Sequence, residues 1–252
     1  MISYLLTTIN RFDITPSVTL KNKSRAGHYI REFIITDNAS DDARIIRWGG
    51  MAGHKFIRND INVGNPQSFN KMMDLAHGDL IVIAGNDILL ERNWLLQAIK
   101  VMNADPKVAI VGFGGEGVEG VDVEIGGVHC VRNPIGTTGT WVIRKSNLKK
   151  LGYFATFSKY GYWDGDYCNR VRAAGMKDVY IKDINADHLG ADHGEDTRYR
   201  KMKDVEAKRA WPHIKDLASR YTATAHYLSK DNKLINISGK AVRSKKKTNG
   251  KK

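Results

Sequence analysis

The stretch Leu80-Ile81-Val82-Ile83-Ala84-Gly85-Asn86-Asp87 decides the fold, because an apolar run of strand length ends abruptly in polar residues. An uninterrupted apolar run of this length is typical of a strand that is buried on both faces of a sheet. A helical pattern precedes it over residues 66–77 and ends at Gly78. Its apolar positions recur at helical spacing: Phe69, Met72, Met73 and Ala76. This order predicts a helix followed by a buried strand.

The same alternation extends in both directions along the chain. Further strands are predicted at residues 2–9, 32–36, 108–113, 140–143 and 179–181, with weaker candidates at 45–48 and 55–58. Further helices are predicted at residues 17–31, 93–103, 145–151 and 164–174. Strands that alternate with helices predict a single-domain α/β fold of Rossmann-like type, with a mostly parallel central sheet and helices on both faces.

The composition is that of a globular protein, with 252 residues, 42% of them hydrophobic and 27% charged. Two cysteines, Cys130 and Cys168, are too few for a disulfide framework. No apolar run reaches the roughly 18–20 residues of a membrane span, and the first residues lack the pattern of a signal peptide. These features predict a cytoplasmic protein.

A strong excess of positive charge is concentrated toward the end of the chain. Lysine and arginine number 40 against 27 acids, a net charge of +13. Seven of these cations fall between Lys240 and Lys252, where there is no acid, and eight more fall between Arg198 and Arg220 against three acids. Such an excess indicates a polyanionic partner, either nucleic acid or an anionic membrane surface, although a tail of this kind can also merely aid solubility. We divide the chain into a core over 1–195, a basic helical extension packed on it over 196–238, and a disordered basic tail over 239–252.

Polar residues follow several predicted strands directly: Asn10-Arg11, Asp37-Asn38 and Asn86-Asp87. Ligands of parallel α/β sheets bind at the carboxyl ends of the strands, so these clusters predict one site. A carboxylate such as Asp87 suits a hard divalent cation, which can bridge a diphosphate; a helix cap or a turn is the alternative.

A second group of candidate residues lies in the later part of the chain. Asp164 and Asp166 flank Gly165 at the start of a predicted helix, where the helix dipole stabilises carboxylates as anions able to accept protons. Helix capping is the alternative. Trp141 and Trp163 are expected near them, either lining a sugar or base site or packing in the core. Residues 187–193 offer histidines and aspartates as metal ligands. A phosphate loop of the GxxxxGK[ST] type and the GxSxG element are missing from the sequence, which disfavours P-loop and α/β-hydrolase chemistry. The GxGxxG spacing occurs at residues 112–117, but irregular strands and loops are predicted over the glycine-rich residues 114–140, not the helix that a dinucleotide site requires.

Taken in order, these clusters resemble family-2 glycosyltransferases of the GT-A fold over roughly residues 2–195. The similar blocks are Thr7-Thr8-Ile9-Asn10-Arg11, Asp37-Asn38-Ala39-Ser40-Asp41-Asp42, Asn62-Val63-Gly64, Gly85-Asn86-Asp87, Lys150-Leu151-Gly152-Tyr153-Phe154, Trp163-Asp164-Gly165-Asp166-Tyr167-Cys168-Asn169-Arg170 and Asp187-His188. There are two departures: Gly85 replaces the first aspartate of the family's DxD metal motif, and Trp163 replaces the glutamate of its "ED" pair.

The resemblance implies an inverting transfer from a nucleotide-sugar, a UDP-sugar, with Mn²⁺ or Mg²⁺ as cofactor. It implies Asp164 as the general base, with Asp166 as the alternative, and a metal held by Asp87 and His188. Acceptor binding is expected at Trp163, Asp166 and Trp141. The residues expected to bind the nucleotide-sugar are Thr8, Asn10, Arg11, Asp37, Asn38, Asn70, Asn86, Arg198 and Lys201. Arg198, Arg200, Lys201 and Lys203 are further candidates for a lid over the diphosphate, or else for a solvated helix face.

Three hypotheses about the function stay open at this point. The compact size and the charge are similar to those of phage enzymes that transfer glucose or arabinose to hydroxymethylated cytosine in DNA, which makes DNA the first choice and implies the host cytoplasm as the location if a phage encodes the protein. A polysaccharide or a lipid-linked sugar is the second, since many transferases of the family elongate surface polysaccharides. A catalytically inactive relative that binds nucleic acid is the third, favoured by the loss of the first DxD aspartate and disfavoured by the presence of Asp87, Asp164 and Asp166.

Overall fold

The computed structural model describes residues 1–114, 118–134, 139–190, 197–236 and 238–242, and for 197–200 it describes the backbone only. The strands are β1 Ile2–Thr8, β2 Ile30–Asn38, β3 Lys55–Asn59, β4 Leu80–Ala84, β5 Ile88–Leu90, β6 Val108–Phe113, β7 Val121–Ile125, β8 Val128–Arg132, β9 Trp141–Arg144, β10 Lys177–Ile181, β11 Ala186–His188, β12 Ala225–Leu228 and β13 Leu234–Asn236. The helices are α1 Thr15–Arg25, α2 Ala43–Ala52, α3 Asn65–Leu75, α4 Trp94–Ala104, α5 Asn147–Leu151, α6 Trp163–Ala173 and α7 Thr197–Ala218, with one 3₁₀ turn at Gly27–Tyr29.

A nine-stranded sheet in the order β3-β2-β1-β4-β9-β6-β10-β8-β7 forms the centre of the described structure. The strands β3, β2, β1 and β4 run parallel to one another, as do β6 and β10. Strand β9 lies antiparallel between β4 and β6, and the β7–β8 hairpin adds an antiparallel edge. The α/β fold is therefore confirmed, and the sheet is mixed because β9 and the hairpin run against the parallel strands.

Helices cover both faces of this sheet, as the alternation of side chains along a strand requires. In β1, Tyr4 and Leu6 pack on the face that α4 covers with Trp94, whereas Leu5 points to the opposite face. That opposite face packs against α3 and α6, which contribute a second set of buried side chains: Phe69, Met72, Met73, Tyr167, Cys168 and Val171. The two cores hold the sheet between its layers of helices, and this packing fixes the position and direction of the strand ends.

One predicted element has the wrong type. Residues 45–48 belong to α2, not to a strand. Asp42 caps this helix by accepting a hydrogen bond from the N–H of Arg44 at 2.9 Å. Ile45 and Gly49, four residues apart, form its buried side, and a Cβ at Gly49 would lie only 2.5 Å from the ring of Phe56. The β-branched pair at 45–46 favours a strand locally, but packing on β2 and β3 selects the helix.

Among the described residues after 196, only those of α7 are helical. The chain continues as an antiparallel hairpin of β12 and β13, which differs from the helical extension expected up to residue 238. The hairpin joins the core where the N–H of Tyr153 donates to the carbonyl of Leu228 at 2.9 Å. Val242 still donates to the carbonyl of Leu234 at 2.7 Å, so the disorder predicted from 239 onward does not include it. Residues 243–252 lie outside the described residues, and the domain division itself stays a prediction.

At the amino ends of the strands, the buried carboxylate of Glu32 ties three segments together. It accepts hydrogen bonds from the Ser3 hydroxyl at 2.5 Å and from the His77 N–H at 2.8 Å, and the Lys55 ammonium donates at 3.0 Å. The Ser3 oxygen in turn accepts from the N–H of Gly78 at 2.8 Å. This network fixes β1, β2 and the turn before β4 at the edge opposite the strand ends discussed next. No described helix is long and apolar enough to cross a bilayer.

Candidate active site

The carboxyl ends of β1 and β4 meet around the hydroxyl of Thr15, at the start of α1. The Thr8 hydroxyl lies 3.5 Å from it, and the amide of Asn86 donates to it at 3.1 Å. Asn10 adopts a left-handed conformation, and its side-chain oxygen accepts from the N–H groups of Asp41 at 3.0 Å and Asp42 at 3.2 Å. Thr8, Asn10 and Asn86, predicted separately from the sequence, are thus brought together.

Arg11 follows Asn10 and is also left-handed, with a φ of 57°. Its guanidinium donates to the carboxylate of Asp13 at 3.0 Å, and its side chain is 36% exposed. The chain therefore turns away from the sheet at this point and leaves a cation at the rim of the predicted site.

Asp37 and Asn38 end β2, but their side chains are buried and engaged within the protein. Asp37 accepts from the guanidinium of Arg58 at 2.7 Å and also from the hydroxyl of Ser40. The side-chain oxygen of Asn38 accepts hydrogen bonds from the amide of Asn59 at 2.8 Å and from the hydroxyl of Ser68, in α3, at 2.9 Å. These bonds shape the loop beneath the site. They do not show the direct nucleotide contacts expected of Asp37 and Asn38, because both side chains are shielded.

Asn70 has a similar structural role. Its amide donates to the carbonyl of Phe154 at 2.9 Å, and its oxygen accepts from the N–H of the same residue at 2.9 Å. The side chain is buried in α3. The expected nucleotide contact is therefore replaced by a two-way bond that fixes the segment before α6.

The pair of Asp87 and His188 is the feature of this edge best suited to a metal. Strand β11 runs antiparallel to β5, with His188 opposite Ile88, and the N–H of Leu189 donates to the Asp87 carbonyl at 2.9 Å. This pairing places Nε2 of His188 3.1 Å from Oδ2 of Asp87, although the residues are 101 positions apart. The aspartate side chain is 23% exposed and that of the histidine 51%, so both can be reached from solvent.

Two glycines allow the backbone to pack closely around this pair. A Cβ at Gly190 would lie 2.3 Å from Oδ2 of Asp87. A Cβ at Gly85 would lie 2.7 Å from Cγ1 of Ile88 and 3.0 Å from the carbonyl of Gly139. An aspartate at position 85, as in the DxD motif, would therefore require a neighbour to move. Carboxylate and imidazole ligands with open positions suit Mn²⁺, so the residues present fit the expected metal; among the described residues no third histidine, cysteine or carboxylate joins them.

Asp164 reaches the same edge through a chain of aromatic contacts. Trp141 lies opposite Ile83 in the β4–β9 pair, one residue before the end of β4. Its ring centroid is 5.7 Å from that of Trp163, the first residue of α6. Asp164 follows in the first turn, partly exposed, and its Oδ1 accepts from the N–H of Gly165 at 2.9 Å. A carboxylate at the positive end of a helix is stabilised as an anion, as a general base requires.

Asp166 and Trp141 do not line an open acceptor site, which corrects two expectations. Asp166 is fully buried and accepts from Nε of Arg170 at 3.0 Å and from the hydroxyl of Tyr221. Burial raises the pKa of the Asp166 carboxyl, and the guanidinium of Arg170 opposes this effect. Trp141 is 2% exposed and packs against Phe154 in the core. Trp163 is half-buried, so of the three expected acceptor residues it alone keeps accessible surface.

The cations expected to cover the diphosphate lie on α7. Lys201 is exposed there, whereas the side chains of Arg198 and Arg200 lie outside the described residues. Sequence reasoning missed Arg58 and Tyr221. Arg58 stands opposite Asp37 in the parallel register of β2 and β3, so the rule that polar residues gather at strand ends was enough to find it. No sequence signal pointed to Tyr221.

Comparisons with known proteins identify the family and the fold. The family model described as "Glycosyl transferase family 2" matches residues 5–156. No curated protein matches the chain at a significant level.

Among solved structures, the fold is similar to that of a mannosyltransferase from Pyrobaculum calidifontis in complex with GDP-Man and Mn²⁺, with a TM-score of 0.62 and 16% identity, over 84% of this chain and 63% of that one. It is also similar to GalNAc-T7 with UDP, GalNAc and Mn²⁺, with a TM-score of 0.60 and 12% identity, over 75% of this chain and 43% of that one. A third similar structure is residues 1–349 of S. aureus TarS, with a TM-score of 0.54 and 16% identity, over 73% of this chain and 59% of that one. These similarities support the GT-A fold, and the chain spans less than two thirds of each of the three proteins. Because the family model covers more than half of its length, the chain belongs to glycosyl transferase family 2.

Proposed function

We propose that this protein is a metal-dependent, inverting glycosyltransferase that moves a sugar from a UDP-sugar to an acceptor hydroxyl. The observation that carries the proposal is the contact of Asp87 with His188 at the carboxyl ends of the strands, where Oδ2 and Nε2 lie 3.1 Å apart. Further support comes from two structures of similar fold, one in complex with GDP-Man and Mn²⁺ and the other with UDP, GalNAc and Mn²⁺.

Asp87 and His188 are the residues that would hold the metal ion. When bound, Mn²⁺ or Mg²⁺ neutralises charge that develops on a leaving diphosphate. The histidine binds a metal as neutral imidazole and the aspartate as carboxylate, so metal affinity should fall when either side chain takes up a proton.

Asp164 is proposed as the general base. It accepts the proton of the acceptor hydroxyl while the oxygen forms a bond to the anomeric carbon. The bond from that carbon to the diphosphate oxygen breaks on the opposite face, and its electron pair leaves with UDP. The first turn of α6 supports this role because its N–H groups stabilise the carboxylate. A single displacement of this kind inverts the configuration at the anomeric carbon.

The proposed acceptor is hydroxymethylated cytosine in DNA, with glucose or arabinose as the transferred sugar. The net charge of +13 supports a polyanionic acceptor, since lysines and arginines on a protein surface replace the counterions of nucleic-acid phosphates. Further support comes from α7, which carries exposed cations such as Lys208 and Lys215 and packs beside α6, the helix that contains Asp164.

The test is to incubate the full chain with UDP-sugars and DNA that contains either hydroxymethylcytosine or plain cytosine, with Mn²⁺ or with a chelator. A sugar-bearing nucleoside, detected by mass spectrometry only with the hydroxymethylated DNA, is the expected result. Release of UDP without transfer to DNA would redirect the search to polysaccharide and lipid-linked acceptors. Binding of DNA without any release of UDP, across all the donors, would identify an inactive nucleic-acid-binding relative and contradict the proposal.

A further inference from the structure

An exposed pair of aromatic rings lies close to the proposed base. The rings of Tyr162 and Trp211 have centroids 5.0 Å apart and planes at 45°. Tyr162 is 40% exposed and Trp211 48%, and they are the aromatic members of the group of large exposed hydrophobic residues in the described part of the chain. A tryptophan that stays half exposed lacks much of the free energy that burial of its ring would provide. This exposure indicates that the surface contacts a partner.

The backbone holds Tyr162 in place at some energetic cost. Its φ is 62°, in the left-handed region, and it follows Gly161 with a φ of 84°. A bulky residue in this conformation is uncommon and strained. The carbonyl of Tyr162 accepts from the N–H of Asp166 at 2.9 Å, which anchors the turn to α6. Tyr162 therefore presents its ring two residues before Asp164, and strain of this kind is concentrated at functional sites.

Positive charge flanks the ring of Trp211 on its own helix. Lys208 precedes it by three residues and Lys215 follows by four, so all three share one face of α7, and both lysines are exposed. The neighbouring Arg209 differs from these lysines, because its guanidinium lies 3.6 Å from the carboxylate of Glu206. A ring between two cations suits a ligand that combines a planar ring with negative charge on both sides.

We propose that Tyr162 and Trp211 form a platform on which a base of the acceptor DNA stacks beside Asp164, while Lys208 and Lys215 contact the flanking phosphates. Bases stack on aromatic side chains while cations follow the phosphate backbone in proteins that bind single strands, and a base that is modified must first leave the duplex stack. An uncharged partner would leave the two lysines without a role. The inference rests on the proposed function, because it assigns the acceptor side of the same site.

The experiment measures the binding of a fluorescently labelled single-stranded oligonucleotide that contains hydroxymethylcytosine, by anisotropy, to the full chain. Trp211→Ala is expected to raise Kd about 5- to 150-fold, because stacking of one base contributes about 1–3 kcal/mol. Trp211→Phe, which keeps a ring, should recover part of that loss. Val205→Ala is the matched control, since Val205 is 64% exposed on the same helix.

A second arm tests the phosphate contacts through salt. Lys208→Ala should reduce the slope of log Kd against log salt by about 1, as expected for one phosphate contact. Lys100→Ala is its control, because α4 packs on the face of the sheet opposite α6. In the wild-type chain, the bound oligonucleotide should also protect tryptophan fluorescence from acrylamide, a measurement that needs no variant to fold.

Several results would overturn the platform. Equal binding by wild type and Trp211→Ala would show that the ring is not part of the acceptor site. Failure of the wild type to bind the oligonucleotide would show that DNA does not occupy this surface. Binding of heparin instead, with the same dependence on Trp211, would assign the surface to an anionic polysaccharide. Release of UDP from a UDP-sugar without acceptor is measured separately, because its absence contradicts the proposed function, whereas its presence with an inert Trp211 contradicts the platform alone.

Discussion

Replacing Glu32 with glutamine should make the protein much less stable at neutral pH and remove part of its sensitivity to acid. Burial alone would raise the pKa of this carboxyl, but hydrogen bonds from Ser3, His77 and Lys55 outweigh it and lower the pKa from 4.5 to about 2. A shift of that size corresponds to about 3 kcal/mol of folding free energy when the carboxylate is ionised. Glu32→Gln keeps the shape of the side chain, removes its charge and sets an amide N–H₂ against those donors.

The sign of the pH dependence follows from the lowered pKa. The unfolded chain binds a proton at Glu32 below about pH 4.5, whereas the folded chain resists it down to about pH 2. The stabilisation is thus fully present above pH 4.5 and is lost as the pH falls through 2. The difference in unfolding free energy between wild type and variant should shrink by about 2 kcal/mol between pH 7 and pH 3.

Urea unfolding followed by tryptophan fluorescence at several pH values between 7 and 3 measures this difference. Asp79→Asn is the control, because Asp79 lies near the same edge and pairs with the amino terminus at 3.2 Å, but its side chain is 90% exposed. Its effect should be small at every pH, as for exposed ion pairs in general. A difference between wild type and Glu32→Gln that stays constant from pH 7 to pH 3 would refute the reasoning.

Three further predictions concern the candidate site. Asp164→Asn should lower kcat by roughly 10²–10⁴ with little change in KM for the donor, and wild-type turnover in a transfer assay would exclude Asp164 as the base. Asp87→Ala should abolish stimulation by Mn²⁺ and weaken UDP-sugar binding measured by calorimetry, and full activity of the wild type in excess chelator would contradict the metal site. Gly85→Asp should not increase metal affinity, because its Cβ would lie 2.7 Å from Ile88 and 3.0 Å from a backbone carbonyl; tighter Mn²⁺ binding by this variant would show that the space exists.

The sequence predicted the sheet and the edge that carries the site, because strand ends follow from hydrophobic runs. The run over β4 and the residues after it are an example: Asn86 joins Thr8 around Thr15, as expected of neighbouring parallel strands. The sequence could not show which way a polar side chain points at such an end. Asp37 turns into the protein because Arg58 arrives opposite it from β3, a pairing that depends on sheet register.

The later residues depended more on tertiary packing. Asp164 and Asp166 are acids of the same helix turn. The sequence alone therefore leaves either of them as a candidate for the general base. Tyr221, from beyond α7, reaches Asp166 together with Arg170 and encloses it, whereas Asp164 keeps exposed surface. A contact between residues 55 positions apart has no local signature, so only the folded chain separates the two acids.

The loss of the first DxD aspartate also becomes intelligible in the folded chain. At position 85 the backbone runs so close to Ile88 and Gly139 that a side chain does not fit, and this position therefore cannot supply a carboxylate without rearrangement. The pairing of β5 with β11 compensates by bringing the imidazole of His188 to the remaining carboxylate of Asp87. Gly190, next in the chain after Leu189, lies so close to this pair that a Cβ there would be 2.3 Å from Oδ2 of Asp87. The departure from the family motif is thus compatible with the proposed metal site, in which the β5–β11 pairing would add the nitrogen of His188 to the carboxylate of Asp87.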